Sequence, residues 1–130
     1  MMNKKIILID DDEIYQFITI KALTKLDDGV RIFSCLNGKA GLDKLLEEYS
    51  REEHFVVLLD LNMPVMNGWE FIQEFEKHNL HHNGNIEVYI VSSSTDQIDI
   101  KKAEQFVCVK AFLSKPIPID KYDYILKGNG

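Results

Sequence analysis

A doubly wound α/β fold, a parallel sheet covered on both faces by helices, is predicted here by two features. Short apolar runs rich in β-branched residues recur along the chain, and stretches with apolar residues at i, i+3, i+4 spacing separate them. Runs that are continuous rather than alternating mark strands buried on both faces. Parallel strands in turn require crossover helices that cover the sheet. With 130 residues the chain suffices for one well-buried core and is too short for a TIM barrel.

In chain order, the first strand is Ile6 to Ile9, followed by a helix with the stripe Ile14, Phe17, Ile18, Ala22. A weaker strand fits Val30 to Leu36, before a helix carrying Leu42, Leu45, Leu46 and Tyr49. Phe55 to Leu59 forms the third strand. The helix after it spans Trp69 to Lys77, opened by Asn67 with Glu70 at capping-box spacing. The polar, Asn/Gly-rich stretch from His78 to Asn85 reads as a loop before the strand Val88 to Val91. A helix over Asp96 to Phe106 is opened by Ser94 with Gln97, again at capping-box spacing. A weak strand at Ala111 to Leu113 and a last helix at about Ile119 to Lys127 complete five β-α units. No repeat, low-complexity tract or linker divides the chain, so residues 1–130 read as one domain.

Composition excludes several classes of function. Apolar residues at 45% and charged residues at 28% describe a globular rather than a disordered chain. A net charge of −6 argues against direct nucleic-acid binding, and Lys101-Lys102 is only a pair that reads as a solvated helix face. The basic start, Met1-Met2-Asn3-Lys4-Lys5, precedes an apolar run that ends at Asp10. That run is too short for a signal-peptide core or a membrane span, so a cytoplasmic protein without membrane insertion is expected. Cys35 and Cys108 form no C-x-x-C and read as two buried, reduced thiols. His78, His81 and His82 lack the further ligand that a zinc site demands and read as loop residues.

In an open α/β sheet, ligands bind beyond the carboxyl ends of the strands, and those ends are loaded with polar residues. The first strand runs into Asp10-Asp11-Asp12-Glu13, the third into Asp60, the fourth into Ser92-Ser93-Ser94 and the fifth into Ser114-Lys115-Pro116. Neighbouring strands lie about 5 Å apart, so Asp10 or Asp11 can approach Asp60. Like charges that close call for a cation, and hard carboxylate oxygens suit Mg²⁺, with Mn²⁺ the alternative. Asp12 and Glu13 read instead as caps of the next helix.

A carboxylate beside a divalent ion and a lysine can attack phosphorus while the cations offset charge on the transferring group. On that chemistry Asp60 is the nucleophile, and Asp11 and Asp10 hold the metal, Asp10 directly or through water. Lys115 and the Ser92 hydroxyl bind phosphoryl oxygens, and Asn62 offers the metal its backbone carbonyl.

These residues resemble the receiver domain of response regulators, especially the single-domain, chemotaxis-regulator-like (CheY-like) kind. Ile7-Leu8-Ile9-Asp10-Asp11, Leu58-Leu59-Asp60 through Met63-Pro64 to Asn67-Gly68, Val91-Ser92-Ser93 and Phe112-Leu113-Ser114-Lys115-Pro116 carry the resemblance across almost the whole chain in family order. It implies a flavodoxin-like (βα)5 sheet of order 2-1-3-4-5; the handed order of such regulators is a known type of this fold. It also implies that Asp60 is the phosphoacceptor, Asp10 and Asp11 the acidic pair, Ser92 the switch hydroxyl and Lys115 the conserved-type lysine. Phe112 matches the aromatic switch position; lacking a hydroxyl, it would couple through packing alone, and a plain core aromatic is the competing reading. Lys115-Pro116 resembles the family's cis-proline junction. Asn62 and Ser94 match the flanking positions that govern phosphoryl lifetime. Pro64 and Gly68 would shape the loop after Asp60, Gly68 with positive φ, or serve as ordinary turn residues.

The resemblance implies partners as well: a sensor histidine kinase or phosphotransfer protein, or acetyl phosphate, as phosphodonor. With only Gly128-Asn129-Gly130 after Lys127, output is expected through binding of a downstream protein to the face of the fourth helix, fifth strand and fifth helix. The chain is expected to be a signalling phosphoacceptor, not an enzyme. Two rivals stand beside this. Asp10-Asp11-Asp12 has the D-x-D spacing of haloacid-dehalogenase-type phosphatases, although only Asp120 and Asp123 follow Lys115. A pseudo-receiver scaffold would keep the fold without phosphate.

Overall fold

The structure, a computed structural model, describes residues 4–93 and 96–127. β1 (Lys4–Ile9) is an interior strand of its sheet, and its side chains are buried on both faces, as such a parallel strand requires. It pairs in parallel with β2 (Arg31–Cys35) and with β3 (His54–Leu59), and the sheet continues through β4 (Ile86–Ser92) to β5 (Val109–Ser114). The strand order is β2-β1-β3-β4-β5, the flavodoxin-like order that the resemblance implies.

Alternation along the strands divides the core in two. Ile7, Ile9, Val57, Leu59, Val88 and Ile90 point to one face, covered by α2 (Gly38–Glu48), α3 (Gly68–Lys77) and α4 (Gln97–Glu104). Ile6, Leu8, Val56, Leu58, Tyr89 and Val91 point to the other, covered by α1 (Glu13–Leu26) and α5 (Ile119–Lys127). The β-α units are thus wound on both sides, as the apolar runs predict.

Helix starts follow local capping chemistry. Asp12 caps α1, accepting hydrogen bonds from the Ile14 and Tyr15 N–H groups, and Asn37 caps α2. Asn67 and Glu70 form the reciprocal capping box expected for α3. At α4 the expectation needs correction. The helix is shorter than Asp96 to Phe106, and its N-cap is Asp96, whose carboxylate accepts from the Ile98 N–H at 2.9 Å. Ser94 lies outside the described residues.

Most of the stripe on α1 also faces the other way, with only Ala22 turned to the core. Ile14, Phe17 and Ile18 are 76%, 62% and 54% exposed, and Gln16, Thr19 and Leu23 face the sheet instead. Partners distant in the chain decide this. The Gln16 side-chain amide donates to the carbonyls of Asp10 and Cys35 at 2.9 and 2.8 Å, and the hydroxyls of Thr19 and Tyr122 meet at 3.1 Å. The buried face of α1 therefore mixes these satisfied polar groups with Leu23, Ile20, Ala22 and Leu26.

The stretch before β4 holds a 3-10 turn, Leu80–Asn83, with Leu80 buried. Asn85 anchors it, its amide donating to the carbonyls of Ser50 and Glu53. Cys35 and Cys108 are unbridged; Cys35 is buried and Cys108 only half-buried. Burial, then the charge of Glu76 beside it, pushes the Cys108 thiol up to about 12, which leaves it unreactive at neutral pH.

Candidate phosphoacceptor site

Strand register assembles the site. Ile9 is aligned with Leu59, so the residues that follow them, Asp10 and Asp60, leave the sheet side by side. Backbone hydrogen bonds carry the alignment past the strand ends, from the Asp60 N–H to the Ile9 carbonyl at 2.9 Å and from the Asp10 N–H to the Cys35 carbonyl at 3.0 Å. One carboxylate oxygen from each of Asp10, Asp11 and Asp60 falls within 4.8 Å of the others. Asp10 and Asp60 are 3% and 8% exposed, whereas Asp11 is open to solvent.

Each buried carboxylate has one oxygen engaged by backbone. Asp10 Oδ1 accepts the Asp12 N–H, and Asp60 Oδ1 accepts the Leu61 N–H at 2.8 Å. The remaining oxygens face one cation. Lys115 Nζ lies 2.8 Å from Asp10 Oδ2 and 3.9 Å from Asp60 Oδ2, so it hydrogen-bonds the first and only approaches the second. Three carboxylates against one ammonium leave the cluster short of positive charge.

Asp60 registers that shortage. Burial is the largest cause and the Asp10 carboxylate the next; together with Asp11 they outweigh Lys115 and the Leu61 N–H, and the carboxyl is pushed up to about 6 from its ordinary 3.8. A buried oxygen set with excess negative charge has the donor chemistry that a hard divalent cation takes, so the residues fit Mg²⁺ or Mn²⁺.

The other expected residues surround this cluster. Ser92 is buried at the end of β4, and its carbonyl accepts the Lys115 N–H at 3.0 Å. The Lys115-Pro116 peptide is cis. Phe112 is half-buried against the core beneath α4, aligned with Ile90. Asn62 is exposed two residues beyond Asp60, and Pro64 is exposed in the same loop.

Gly68 departs from expectation, because its φ is not positive. Its reason to be glycine is close approach: a Cβ there would sit 2.5 Å from the Asp60 carbonyl oxygen and 2.9 Å from Leu61 Cα. The residue of this loop with positive φ is Val65, at 70°, a conformation that a β-branched side chain rarely adopts. The Met66 N–H closes the turn onto the Pro64 carbonyl at 2.8 Å, and the Met66 carbonyl then accepts the Gly38 N–H at 2.9 Å. The hydrogen bond between Gly38 and Met66 thus ties the loop after Asp60, with its strained Val65, to the start of α2.

Sequence reasoning missed two residues here. Gln16 clamps the start of α1 to the ends of β1 and β2, and Tyr15 lies under the lysine, its ring centroid 4.5 Å from Lys115 Nζ. An aromatic and an amide directly after an acidic cluster were the available signals; the apolar stripe on the same helix pointed away from both.

With buried acids and a lysine converging at the carboxyl edge of a 2-1-3-4-5 sheet, the chain belongs to the response regulator receiver domain family, whose profile matches residues 6–127. It is a signalling domain of two-component systems. The chain is 27% identical over 121 residues to sporulation initiation phosphotransferase F of Bacillus subtilis, covering 93% of this chain and 89% of that protein. It is 29% identical over 126 residues to hybrid signal transduction histidine kinase G of Dictyostelium discoideum, covering 97% of this chain but 4% of that much longer protein. The crystal structure of a two component response regulator from Cytophaga hutchinsonii superposes with a TM-score of 0.84 at 31% identity, covering 96% of this chain and 95% of that one.

Proposed function

We propose that the chain is one receiver unit in which Asp60 accepts a phosphoryl group and thereby switches protein binding. The observation that carries this is the register-driven meeting of Asp60 with Asp10 and Asp11, with Lys115 3.9 Å from the Asp60 oxygen that has no backbone partner. Asp60 Oδ2 attacks phosphorus; a P–O bond forms while the P–N bond to a donor histidine breaks, and the electron pair leaves on the imidazole nitrogen. Lys115 transfers its pairing from Asp10 toward a phosphoryl oxygen, and the Ser92 hydroxyl donates to another. Asp10, Asp11, Asp60 and the Asn62 carbonyl would hold Mg²⁺ or Mn²⁺, which when bound supplies the missing positive charge.

The names of the relatives support a histidine kinase or phosphotransfer protein as donor. The donor has to cover the mouth of the site, and the exposed apolar residues Ile14, Phe17 and Ile18 begin just past Asp11 and Asp12, which makes α1 the natural contact for its helices. Output passes through the face of α4, β5 and α5, where Ile98, Val107, Ile119 and Tyr124 are exposed. Among the helix's described residues only Ala103 of α4 is buried, which suits a movable element, and Phe112 couples the site to it by packing. Asn62, and by its place in the sequence Ser94, match the family positions that govern phosphoryl lifetime, and neither is an acid that could orient water. The protein turns over no substrate of its own and acts in the cytoplasm without nucleic acid.

The phosphatase reading has little to recommend it: the acids after Lys115, Asp120 and Asp123, lie on α5, and Asp123 pairs with Lys127 at 3.0 Å. Incubation with Mg²⁺ and acetyl phosphate, read by intact mass, is expected to give one phosphoryl adduct that EDTA prevents and Asp60→Asn abolishes. An unchanged adduct in Asp60→Asn would overturn the assignment.

A further inference from the structure

Lys115 has one neighbour that the phosphoryl-transfer reading leaves unused. The Tyr15 ring faces its ammonium at 4.5 Å, close enough for a cation-π attraction. The ring is held in place from two sides. Asp12 caps the turn by accepting the Tyr15 N–H at 3.0 Å, and Gln16, next along the helix, is bonded to the carbonyls at the ends of β1 and β2. Tyr15 also lines a small cavity with Asp10, Thr19, Asp60 and Tyr122. Its hydroxyl is buried there beside the Tyr122 phenol, whose pKa is raised by burial above all and further by this neighbouring phenol.

We propose that Tyr15 is a positioning residue for Lys115, a fixed aromatic platform on which the ammonium pivots between Asp10 and the phosphoryl group on Asp60. The proposal rests on the reading of Asp60 as phosphoacceptor. A hydrogen-bonding partner in place of the ring would compete for the lysine protons. The face of a ring attracts the cation without fixing its direction, so Lys115 can give up its 2.8 Å bond to Asp10 and stay desolvated beside the site. The lysine reaches the site from β5 and the ring from α1, so the pairing sets the geometry across the mouth of the sheet.

Two readouts test this. In NMR spectra, the Lys115 ε-methylene protons are expected to be shifted upfield by the Tyr15 ring, with and without Mg²⁺ and beryllofluoride; the shift persists in Tyr15→Phe and disappears in Tyr15→Leu. The rate of phosphorylation by acetyl phosphate in Mg²⁺ is expected to stay within about twofold in Tyr15→Phe and to fall about three- to tenfold in Tyr15→Leu, the range of a partly desolvated cation-π contact. Tyr15→Met serves in the same way should Tyr15→Leu fold poorly. Wild-type rates in a folded Tyr15→Leu or Tyr15→Met protein, or an equal loss in Tyr15→Phe, would overturn the proposal. An adduct that survives Asp60→Asn would instead overturn the underlying reading, so the two failures are distinct.

Discussion

The two ends of this sheet treat buried charge in opposite ways. At the amino edge, Lys5 lies between Glu48 and Glu53 at 3.4 and 3.1 Å, and Glu87 receives Lys4 and Lys110 at 2.9 and 2.7 Å. Burial alone would raise the pKa of Glu87, yet the hydrogen bonds and charges of Lys110 and Lys4 outweigh it and hold the carboxyl below its ordinary range. At the carboxyl edge, three carboxylates share one lysine, and Asp60 is pushed up to about 6. Backbone strain is found at the carboxyl edge, where the β-branched Val65 has φ 70° in the loop after Asp60; the positive-φ residues before β4, Asn79 and Gly84, are types that tolerate that conformation. One edge is built to be stable, while the other stores electrostatic imbalance that a cation and a phosphoryl group can use.

The largest effect is expected where the backbone crowds the site. Gly68→Ala places a Cβ against the Asp60 carbonyl and Leu61 Cα, neither of which can move freely, and should cost about 3 kcal/mol in urea unfolding while slowing phosphorylation. Charge removal should then act with opposite signs at the two edges. A rise of the Asp60 pKa from 3.8 to about 6 corresponds to about 3 kcal/mol of destabilisation of the ionised, metal-free protein. Asp60→Asn, which still carries the cost of burying an amide, should raise stability in EDTA at pH 7.5 by about 1 to 2 kcal/mol.

The pH profile carries the same sign. A raised folded-state pKa means that the folded protein binds the proton more tightly than the unfolded chain. Stability from Asp60 is therefore full below about pH 4 and lost as pH rises toward 6. Glu87, held low, works the other way: its contribution is present above its unfolded pKa of 4.5 and lost as pH falls through its folded value. Unfolding free energies measured in EDTA should rise as pH falls from about 7 to about 4.5 and then turn over. Asp60→Asn should remove the rise and keep the turnover.

Lys5→Met should lose about 1 to 2 kcal/mol, less than a fully buried pair would, because Glu48 and Glu53 are partly exposed and can regain water. The smallest effect is expected on the outer face of α1. Phe17→Ser should change stability by no more than about 0.5 kcal/mol and leave phosphorylation by acetyl phosphate intact, while slowing transfer from a phosphohistidine protein. Equal slowing with both donors would place Phe17 in the fold rather than at a docking surface.

What could be read from residues alone follows the range of the interactions involved. β1, β3 and β4 were legible because burial on both faces leaves an unbroken apolar run, and the acids of the site because each directly follows such a run. The orientation of α1 was not legible: Gln16 and Thr19 are buried by partners 19 and 103 residues away, and hydrophobicity alone favoured the opposite face. The cap of α4 was misplaced because Ser94 and Asp96 are both good cap residue types two positions apart; the hydrogen bond to the Ile98 N–H comes from Asp96. The contact of Tyr15 with Lys115 joins α1 to the segment after β5, and Lys4, which reads as part of a basic start, is paired with Glu87 83 residues on. The positive φ expected of Gly68 is absent; close approach to the Asp60 carbonyl is what requires glycine there, a constraint no local sequence signal carries.

The imbalance at the carboxyl edge has its most direct test in the chemistry of the adduct. An acyl phosphate, unlike a phosphoester or phosphoramidate, is reduced by borohydride, which turns a phosphorylated aspartate into homoserine. After treatment with acetyl phosphate and Mg²⁺, reduction and peptide mapping should place homoserine at position 60. Homoserine at another aspartate, or a phosphoryl group that resists reduction and maps elsewhere, would contradict the assignment of Asp60.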